Sequence, residues 1–292
     1  MDTRTLGTSD LEITPVGIGT APIGSVPGLW WVNWGRQDEH CSLAAIDAAL
    51  DGGVNWIDTA PFYGWGRAEE IVGKALRRRD AEVLVFTKCG TFRRDDGDDY
   101  MDLRAESIRR DLEASLVRLG RDHVDLLQPH DVDRNTPIEE TWGTIQELIA
   151  EGKVRHGGLS NHPPDLVERA LAIGPVVSLQ FEYSALQRRE EERLLPFAQE
   201  HGLGVLVWAP LASGFLTTGF DVGALEEGDF RKTHPFAEHD GLAAVREELG
   251  PDVTAGALRF ALGHEAVTGA IVGVRNEREA REIVRSAAWP TS

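Results

Sequence analysis

Short runs of apolar and β-branched residues alternate along the chain with longer segments in which apolar residues recur every three or four positions. This alternation is typical of strands followed by helices, repeated as βα units around a parallel sheet. The short runs predict strands at Val16 to Thr20, Val54 to Asp58, Val83 to Lys88, Val124 to Gln128, Val154 to Ser160, Val176 to Gln180, Val205 to Trp208 and Ala270 to Gly273. The longer segments predict helices near 38–51, 68–78, 105–119, 138–151, 164–172, 191–202, 253–263 and 276–286. Eight such units predict an α/β fold, a (β/α)8 TIM barrel formed by one domain over residues 1–292.

Two segments fall outside this repeat. The stretch RTLGTSDLEI before the first barrel strand predicts a β-hairpin around Gly7 to Asp10, placed across the lower end of the barrel. The connection from about Leu211 to Asp240 has no clear periodicity and exceeds the usual loop length, which favours a functional role. The segment GIGTAPIG at 17–24 only superficially suggests a dinucleotide-binding glycine loop, because Pro22 and the spacing depart from G-x-G-x-x-G. A tight loop after the first barrel strand is the favoured interpretation.

Composition narrows the class of protein and its partners. The net charge of −18 argues against nucleic acid and anionic membranes as partners, because binding phosphates requires clustered Lys and Arg. No apolar run approaches the ~20 residues of a membrane span, and the start of the chain lacks the apolar stretch of a signal peptide. Cys41 and Cys89 have no metal-ligand spacing and are too few for a disulfide framework. We therefore expect a cytoplasmic protein with a small-molecule substrate and no metal.

Polar residues that end successive predicted strands are the candidates for chemistry, because barrel active sites gather at the carboxyl ends of the strands. Asp58 and Lys88 end two of these strands, His130 follows a third, and Tyr63 lies in the loop DTAPFYGWG just after Asp58. Further polar residues, Ser160 with Asn161 and Gln180, end two more strands.

Together these side chains suit the delivery of a proton to a carbonyl oxygen. A tyrosine hydroxyl has an ordinary pKa of about 10 and is a poor acid at neutral pH. We expect the charge of Lys88 to lower the pKa of Tyr63, Asp58 to keep Lys88 charged, and His130 to orient the carbonyl or assist the proton transfer. Each residue alone has an ordinary structural explanation, so the combination carries the hypothesis. None of the four supplies a hydride, which a cofactor must provide.

The sequence that carries these residues resembles the aldo-keto reductases over nearly its whole length. The matching motifs are WIDTAPFYGWGRAEE at 56–70, VFTKCG at 85–90, DLLQPHDVDRNTPIEETW at 125–142, GKVRHGGLSNH at 152–162, SLQFEYSALQR at 178–188, VWAPLASGFLTTGF at 207–220 and AIVGVRN at 270–276. The resemblance implies an NAD(P)H-dependent oxidoreductase that reduces an aldehyde or ketone. It also implies that the catalytic tetrad of the family falls on Asp58, Tyr63, Lys88 and His130, with Tyr63 as the proton donor.

The resemblance further implies which residues hold the cofactor. Ser160, Asn161 and Gln180 match positions that bind the nicotinamide carboxamide, and Trp208 matches an aromatic that stacks on the nicotinamide ring, although a buried strand tryptophan is an ordinary alternative. The remaining cofactor contacts implied are Thr20, Pro210, Leu211, Ser213, Gly214, Leu216, Gly273, Arg275, Asn276 and Glu279. The run from Pro210 to Leu216 resembles the segment whose backbone amides hold the diphosphate.

The adenosine end decides between the two nicotinamide cofactors. Arg275 and Asn276 can grip a 2′-phosphate, whereas Glu279 and Ile283 stand where the family often has amide side chains. We favour NADPH over NADH, because a bidentate arginine contact is strong enough to outweigh repulsion by Glu279.

An aromatic stretch after the first barrel strand is the candidate for lining the substrate pocket. Trp30, Trp31 and Trp34 are expected to wall the substrate pocket, although ordinary packing of this loop is nearly as good an explanation. The charged loop Arg93 to Asp99 is interpreted as a solvated turn. Two alternatives stay open: an NAD(P)-dependent sugar or alcohol dehydrogenase, and a nicotinamide-binding regulatory subunit of a membrane channel. The sequence leaves the substrate, the direction of the reaction and the oligomeric state undecided.

Overall fold

A closed barrel of parallel strands forms the centre of the computed structural model, which describes residues 1–25, 33–79, 82–94 and 97–287. Across these residues the strands are β1 Arg4–Thr5, β2 Glu12–Ile13, β3 Val16–Gly19, β4 Trp56–Asp58, β5 Leu84–Cys89, β6 Thr91–Arg93, β7 Asp99–Met101, β8 Val124–Pro129, β9 Val154–Ser160, β10 Ser178–Glu182, β11 Gly204–Trp208 and β12 Gly269–Gly273. The barrel order is β3-β4-β5-β8-β9-β10-β11-β12, and β12 pairs with β3 to close it. The predicted (β/α)8 architecture is confirmed.

Helices cover the outside of the barrel. Within the described residues they are α1 Glu39–Asp51, α2 Arg67–Leu76, α3 Ala105–Leu119, α4 Ile138–Ala150, α5 Pro164–Leu171, α6 Leu194–Glu200, α7 Leu242–Glu248, α8 Val253–Gly263 and α9 Glu277–Ala287. The short helix α7 was not predicted, because seven residues inside a polar connection give too little periodicity to recognise. The predicted helix at 191–202 begins later, at Leu194, since a 3-10 turn over Arg189–Glu192 precedes it.

The hairpin formed by β1 and β2 closes the lower end of the barrel, as predicted. Leu6, Leu11 and Ile13 pack inside the barrel in a cluster that includes Trp56 and Phe86. An ideal Cβ at Gly7 would lie 2.1 Å from the carbonyl oxygen of Val177, so the turn lies directly against the barrel wall. Filled from below, the barrel leaves only its opposite mouth free to build a site.

The second core lies between the strands and the helical layer. On α3 four apolar residues recur with helical spacing and are buried against this core: Ile108, Leu112, Leu116 and Leu119. The helix ends at Gly120, whose φ of +69° suits a glycine at the C-terminal cap. This packing fixes α3 against the outside of β5.

Long connections surround the carboxyl ends of the strands. After β5 the chain forms the hairpin of β6 and β7, in which Arg93 and Arg94 are exposed, as expected for a solvated turn. Between β11 and α8 the chain forms α7 and short 3-10 helices at Ala212–Gly214, Val222–Ala224, Phe230–Thr233 and Pro235–Glu238. The amide of Phe230 donates to the carbonyl of Asn33 at 3.0 Å, which joins this connection to the loop after β3.

None of the helices in the described part of the chain has the length and apolarity needed to cross a membrane.

The closing hairpin yields a stability prediction. Leu11 is 1% exposed, and we expect Leu11→Ala to lower the free energy of unfolding by about 2–5 kcal/mol through lost burial and a residual cavity. Val117→Ala is the matched control, because Val117 is 81% exposed and its truncation costs about 0.5 kcal/mol or less. Urea unfolding followed by tryptophan fluorescence measures both. Equal effects of the two substitutions would contradict the role of the β1–β2 hairpin in closing the lower end of the barrel.

Candidate active site

A buried ion pair lies at the mouth of the barrel. Asp58 is the last residue of β4 and Lys88 lies near the end of the neighbouring strand β5, and both side chains are almost completely buried. Lys88 Nζ donates to Asp58 Oδ1 at 2.5 Å and to the carbonyl of Thr59 at 3.1 Å. Burial lowers the pKa of Lys88, but the carboxylate of Asp58 and the hydroxyl of Tyr63 outweigh this and raise it overall. Lys88 is therefore a permanent cation in this site.

The second oxygen of Asp58 is also bonded, across the barrel. Gln180 on β10 donates from Nε2 to Asp58 Oδ2 at 2.9 Å and to Gln128 Oε1 at 3.2 Å. With both carboxylate oxygens engaged, the ion pair is held by strands from three parts of the sheet. Gln180, predicted to bind the carboxamide, thus also supports the ion pair.

Tyr63 lies over the lysine from the loop after β4. Lys88 Nζ is 5.2 Å from the centre of the Tyr63 ring, so its charge acts directly on the phenol. Tyr63 is half-buried and lines a cavity. Burial raises the pKa of Tyr63, and the charge of Lys88 lowers it, as expected. Burial outweighs the cation here, so the pKa of Tyr63 is raised overall.

His130 completes the cluster from the end of β8. Its backbone amide donates to the carbonyl of Cys89 at 3.0 Å, and its ring lies 5.7 Å from the Tyr63 ring, centre to centre, at 82°. Burial and the nearby charge of Lys88 hold the pKa of His130 well below its ordinary value. The imidazole is consequently neutral at neutral pH and can donate or accept a hydrogen bond without carrying charge.

Three further predicted residues form a chain of hydrogen bonds beside His130. Asn161, held at a φ of +59°, donates from Nδ2 to the carbonyl of His130 at 3.0 Å and to Ser160 Oγ at 3.2 Å. Trp208 Nε1 donates to Asn161 Oδ1 at 3.2 Å. These contacts fix the plane of the indole at the mouth, where a flat ligand could stack on it.

An elongated cavity of about 730 Å³ begins at this cluster and extends over the carboxyl ends of the strands. The predicted site residues that line it are Trp34, Asp58, Tyr63, His130, Ser160, Asn161, Gln180, Trp208, Pro210, Leu211, Ser213, Gly214, Gly273, Arg275 and Glu279. One continuous cavity therefore brings together residues that the sequence separates by more than 200 positions.

Among the predicted residues that the structure describes, four do not line the cavity. Lys88 lies behind Tyr63 and Asp58, and Thr20 uses its hydroxyl to donate to the carbonyl of Asp58 at 3.1 Å. Leu216 is buried in the apolar core, and Asn276 bonds Glu279 at the start of α9. The side chains of Thr20, Leu216 and Asn276 are engaged or buried in this structure, and their contacts with a cofactor stay predictions.

The middle of the cavity is built by the start of the long connection. Ala212, Ser213 and Gly214 are three consecutive residues with positive φ, an arrangement that turns the backbone sharply and can form an anion-binding concavity. An ideal Cβ at Gly214 would lie 3.2 Å from Arg231 Nη1, so the guanidinium faces this segment. The lack of a side chain at Gly214 thus leaves room between the backbone and a cation.

Arg231 lines the cavity although the sequence did not indicate it as a site residue. It is 5% exposed and is held by Asp229, which accepts from Nε at 2.9 Å and from Nη2 at 2.6 Å. Its guanidinium lies 5.1 Å from the centre of the Trp34 ring. The Asp-Phe-Arg sequence at 229–231 was the available signal, but it lies in a segment without periodicity. Glu182, also missed, lines the cavity because β10 extends two residues past Gln180.

The far end of the cavity carries charges of both signs. Glu279 accepts from the amide of Arg275 at 2.8 Å and from Arg275 Nη2 at 3.4 Å. Arg278 and Glu282 line the same region. Arg275 Nη1 donates to the carbonyl of Trp34 at 3.0 Å. Arg275 and Glu279, the two residues predicted to contact the adenosine part of a cofactor, thus form an ion pair in the wall of the cavity.

Trp34, predicted to wall the substrate pocket, lines the cavity and lies against Arg231 and Arg275. Its Nε1 is buried without a hydrogen-bond partner among the described residues. Trp30 and Trp31, predicted for the same wall, lie outside the described residues.

The donors and shape of this cavity fit a dinucleotide. Amide and hydroxyl groups and an indole surround one end, a sharply turned backbone and Arg231 lie at the middle, and a second arginine stands at the far end. The orphaned indole donor of Trp34 is an additional group that a polar ligand could satisfy. In the described part of the chain, no cluster of His, Cys, Asp and Glu could hold a metal ion.

Comparison with known proteins agrees with this geometry. The model of the "Aldo/keto reductase family" matches residues 15–292. An uncharacterised oxidoreductase of Bacillus subtilis, YqkF, is 33% identical over 293 residues, covering 98% of this chain and 91% of that protein. An NADH-specific methylglyoxal reductase of Escherichia coli is 38% identical over 226 residues, covering 73% of this chain and 68% of its own.

Among solved structures, the glycerol dehydrogenase AKR11B4 from Gluconobacter oxydans superposes with a TM-score of 0.88 at 31% identity, covering 100% of this chain and 91% of that one. An aldo-keto reductase from Bacillus halodurans, AKR11C1 in its holo form, gives a TM-score of 0.83 at 31% identity, covering 99% and 92% of the two chains. The protein therefore belongs to the aldo/keto reductase family, whose members are oxidoreductases of carbonyl compounds that use a nicotinamide cofactor.

Proposed function

We propose that the protein reduces an aldehyde or ketone to an alcohol with a nicotinamide cofactor, and that Tyr63 donates the proton. The observation that supports this most strongly is the series Asp58–Lys88–Tyr63, in which Asp58 binds Lys88 and Lys88 lies 5.2 Å from the Tyr63 ring. This series lies beside a neutral His130, in a cavity of about 730 Å³ that is also lined by Arg275. No other group in the series ends in a hydroxyl that faces the cavity.

Each member of the cluster has a separate task in this proposal. Tyr63 holds the proton that passes to the carbonyl oxygen, and Lys88 stabilises the phenolate left behind. Asp58 keeps Lys88 charged and in place. Neutral His130 donates a hydrogen bond that orients the carbonyl without competing for the role of acid.

The rest of the cavity is proposed to hold the cofactor, which supplies the hydride when bound. Ser160, Asn161 and Gln180 would bind the carboxamide, and Trp208 would stack on the nicotinamide ring. The turn at Ser213 and Gly214, with Arg231 opposite, would hold the diphosphate, because backbone amides and a guanidinium both favour phosphate oxygens.

For the adenosine end we propose a preference for NADPH. Arg275 and Arg278 both line the cavity there and can bind a 2′-phosphate, while Glu279 and Glu282 oppose it. The Escherichia coli relative is named as NADH-specific, so the preference depends on this balance of charges in the present chain.

The reverse oxidation of an alcohol or sugar is the second candidate activity. The structural neighbour from Gluconobacter is a glycerol dehydrogenase, and a relative from Arabidopsis thaliana, 29% identical, is an L-galactose dehydrogenase. The same side chains would serve, with Tyr63 accepting the proton. A regulatory role without turnover is disfavoured, because the complete proton-donating series is present. We further propose that the enzyme works in the cytoplasm on a small molecule, since its charge of −18 disfavours nucleic acid and anionic membranes.

Removing the proposed proton donor tests the function directly. Tyr63→Phe retains the ring but loses the hydroxyl, so we expect kcat for carbonyl reduction to fall by at least ~10²-fold while the cofactor Kd changes by less than about twofold. Tyr100→Phe, on the half-buried strand β7 and outside the cavity lining, is the matched control and should leave both constants unchanged. Retained turnover in Tyr63→Phe would remove Tyr63 from its proposed role.

Breaking the ion pair should affect both stability and turnover. In Lys88→Met the carboxylate of Asp58 is left buried and unpaired, and we expect the free energy of unfolding to fall by about 3–5 kcal/mol and reduction to be lost. The double variant Asp58→Asn with Lys88→Met removes both charges, so it should be less destabilised than the sum of the two single variants. Urea unfolding of all four proteins measures this, and strict additivity would contradict the coupling.

The charge balance at the adenosine end predicts a change in cofactor preference. Glu279→Gln removes an anion that holds Arg275, so we expect NADPH to bind roughly three- to tenfold more tightly and NADH to change little. Glu277→Gln is the control, because Glu277 begins the same helix but pairs with Arg281 and does not line the cavity. Fluorescence titrations of the native protein and both variants with each cofactor give the six dissociation constants. Equal binding of NADH and NADPH by the native protein would contradict the proposed preference.

A further inference from the structure

One acidic side chain on α3 is buried against the outside of the barrel. Asp111 is 7% exposed, and its Oδ2 accepts the backbone amide of Gly90 at 2.9 Å. Gly90 is the first residue after β5, two positions beyond Lys88. A helix of the outer layer thus holds, through one side chain, the exit of the strand that carries the lysine of the site.

The backbone around Gly90 connects the Asp111 contact to Lys88, two positions earlier in the chain, and to His130. The carbonyl of Cys89 accepts the amide of His130 at 3.0 Å, and the carbonyl of Gly90 accepts the amide of Asp102 at 2.9 Å. Gly90 has a φ of +97°, and an ideal Cβ there would lie 2.2 Å from Leu103 Cδ2, so the backbone has little freedom to adjust. Loss of the Asp111 contact would therefore be transmitted to the end of β5, where Lys88 and the partner of His130 lie.

The surroundings of Asp111 make its burial costly. Glu69 on α2 is completely buried and accepts from Thr87 Oγ1 and from Arg118 Nε, each at 2.7 Å. Asp111 has no such ion pair among the described residues. The pKa of Asp111 is raised to about 7, chiefly because the carboxyl is buried. The hydrogen bond from the Gly90 amide lowers this pKa, the charge of Glu69 raises it further, and the charges of Arg118 and Arg110 lower it. On the strand side, burial and Asp111 raise the pKa of the Cys89 thiol. An apolar residue would avoid this cost but could not accept the amide of Gly90.

We propose that Asp111 is a positioning residue for carbonyl reduction: by binding the Gly90 amide, it fixes the end of β5 so that Lys88 meets Tyr63 and His130 faces the cavity. This role rests on the function proposed above. It places a determinant of turnover in the helical layer, outside the lining of the cavity.

Three substitutions separate positioning from general stability. Asp111→Leu fills much of the volume and Asp111→Ala empties it, but both remove the acceptor, so whichever folds is informative. Asp111→Asn retains an oxygen acceptor for Gly90 and removes the charge. Leu116→Ala, in the core on the same helix, is the matched control for destabilisation without contact to Gly90.

We expect the two variants without an acceptor to lower kcat about tenfold or more, because small displacements of reacting groups are costly, with the cofactor Kd within about twofold of native. Asp111→Asn should retain kcat within about threefold, and Leu116→Ala should retain it despite a lower melting temperature. The proposal is overturned if Asp111→Leu and Asp111→Ala keep native kcat, if Asp111→Asn is as impaired as they are, or if Leu116→Ala loses turnover equally.

A second measurement does not depend on activity. The chain has three tyrosines, so ring-13C-labelled protein gives three tyrosine signals, and Tyr63→Phe identifies that of Tyr63. The Tyr63 signal should move in the variants that lack the acceptor and stay in place in Asp111→Asn and Leu116→Ala. If the native protein reduced no carbonyl, the proposed function would fail, while this signal would still decide whether Asp111 positions the cluster. An unmoved Tyr63 signal in Asp111→Leu and Asp111→Ala would overturn the positioning role.

Discussion

The arrangement of the barrel mouth depends on the buried ion pair between Asp58 and Lys88. Taking both charges out of water costs several kcal/mol for each, and only close contact with complete hydrogen bonding offsets this cost. Here Lys88 also bonds the carbonyl of Thr59, and the second oxygen of Asp58 accepts from Gln180 on the far side of the barrel. The hairpin below and the aromatic interior exclude water from beneath, so the pair keeps its geometry and directs the cation at Tyr63.

The cavity separates chemistry from recognition by its distribution of charge. At the Tyr63 end, Lys88 is charged and the imidazole of His130 is neutral, which is the basis for proposing the Tyr63 hydroxyl as the proton donor. Beyond it, Arg231 and Arg275 are each tied to a carboxylate, so positive groups suited to phosphates are held in the wall without a large net charge. Such a site would bind a dinucleotide through many modest contacts, and its affinity for a 2′-phosphate is then sensitive to single charges at the far end.

Much of the fold was predictable because each βα unit repeats the same two periodicities, and strand ends at Asp58, Lys88 and Gln180 fall where a barrel places its functional residues. The raised pKa of Tyr63 was not predictable from the sequence, because the effect of burial depends on neighbours that distant segments of the chain supply. Arg231 lies in a connection whose 3-10 turns have no helical periodicity, and Asp111 looks like any polar residue on a surface helix until Gly90 is placed beside it. Roles that arise from tertiary contact left no local pattern to read.

The central claim is that this chain transfers a hydride to a carbonyl while its own residues supply the proton. It is tested most directly by a single-turnover experiment in which the protein is loaded with one equivalent of NADPH and mixed with a panel of aldehydes, ketones and aldoses. The account predicts that the reduced-nicotinamide absorbance disappears with at least one class of carbonyl, in step with alcohol formation. Persistent absorbance with every carbonyl, for NADPH and NADH alike and with binding of both cofactors verified, would contradict it.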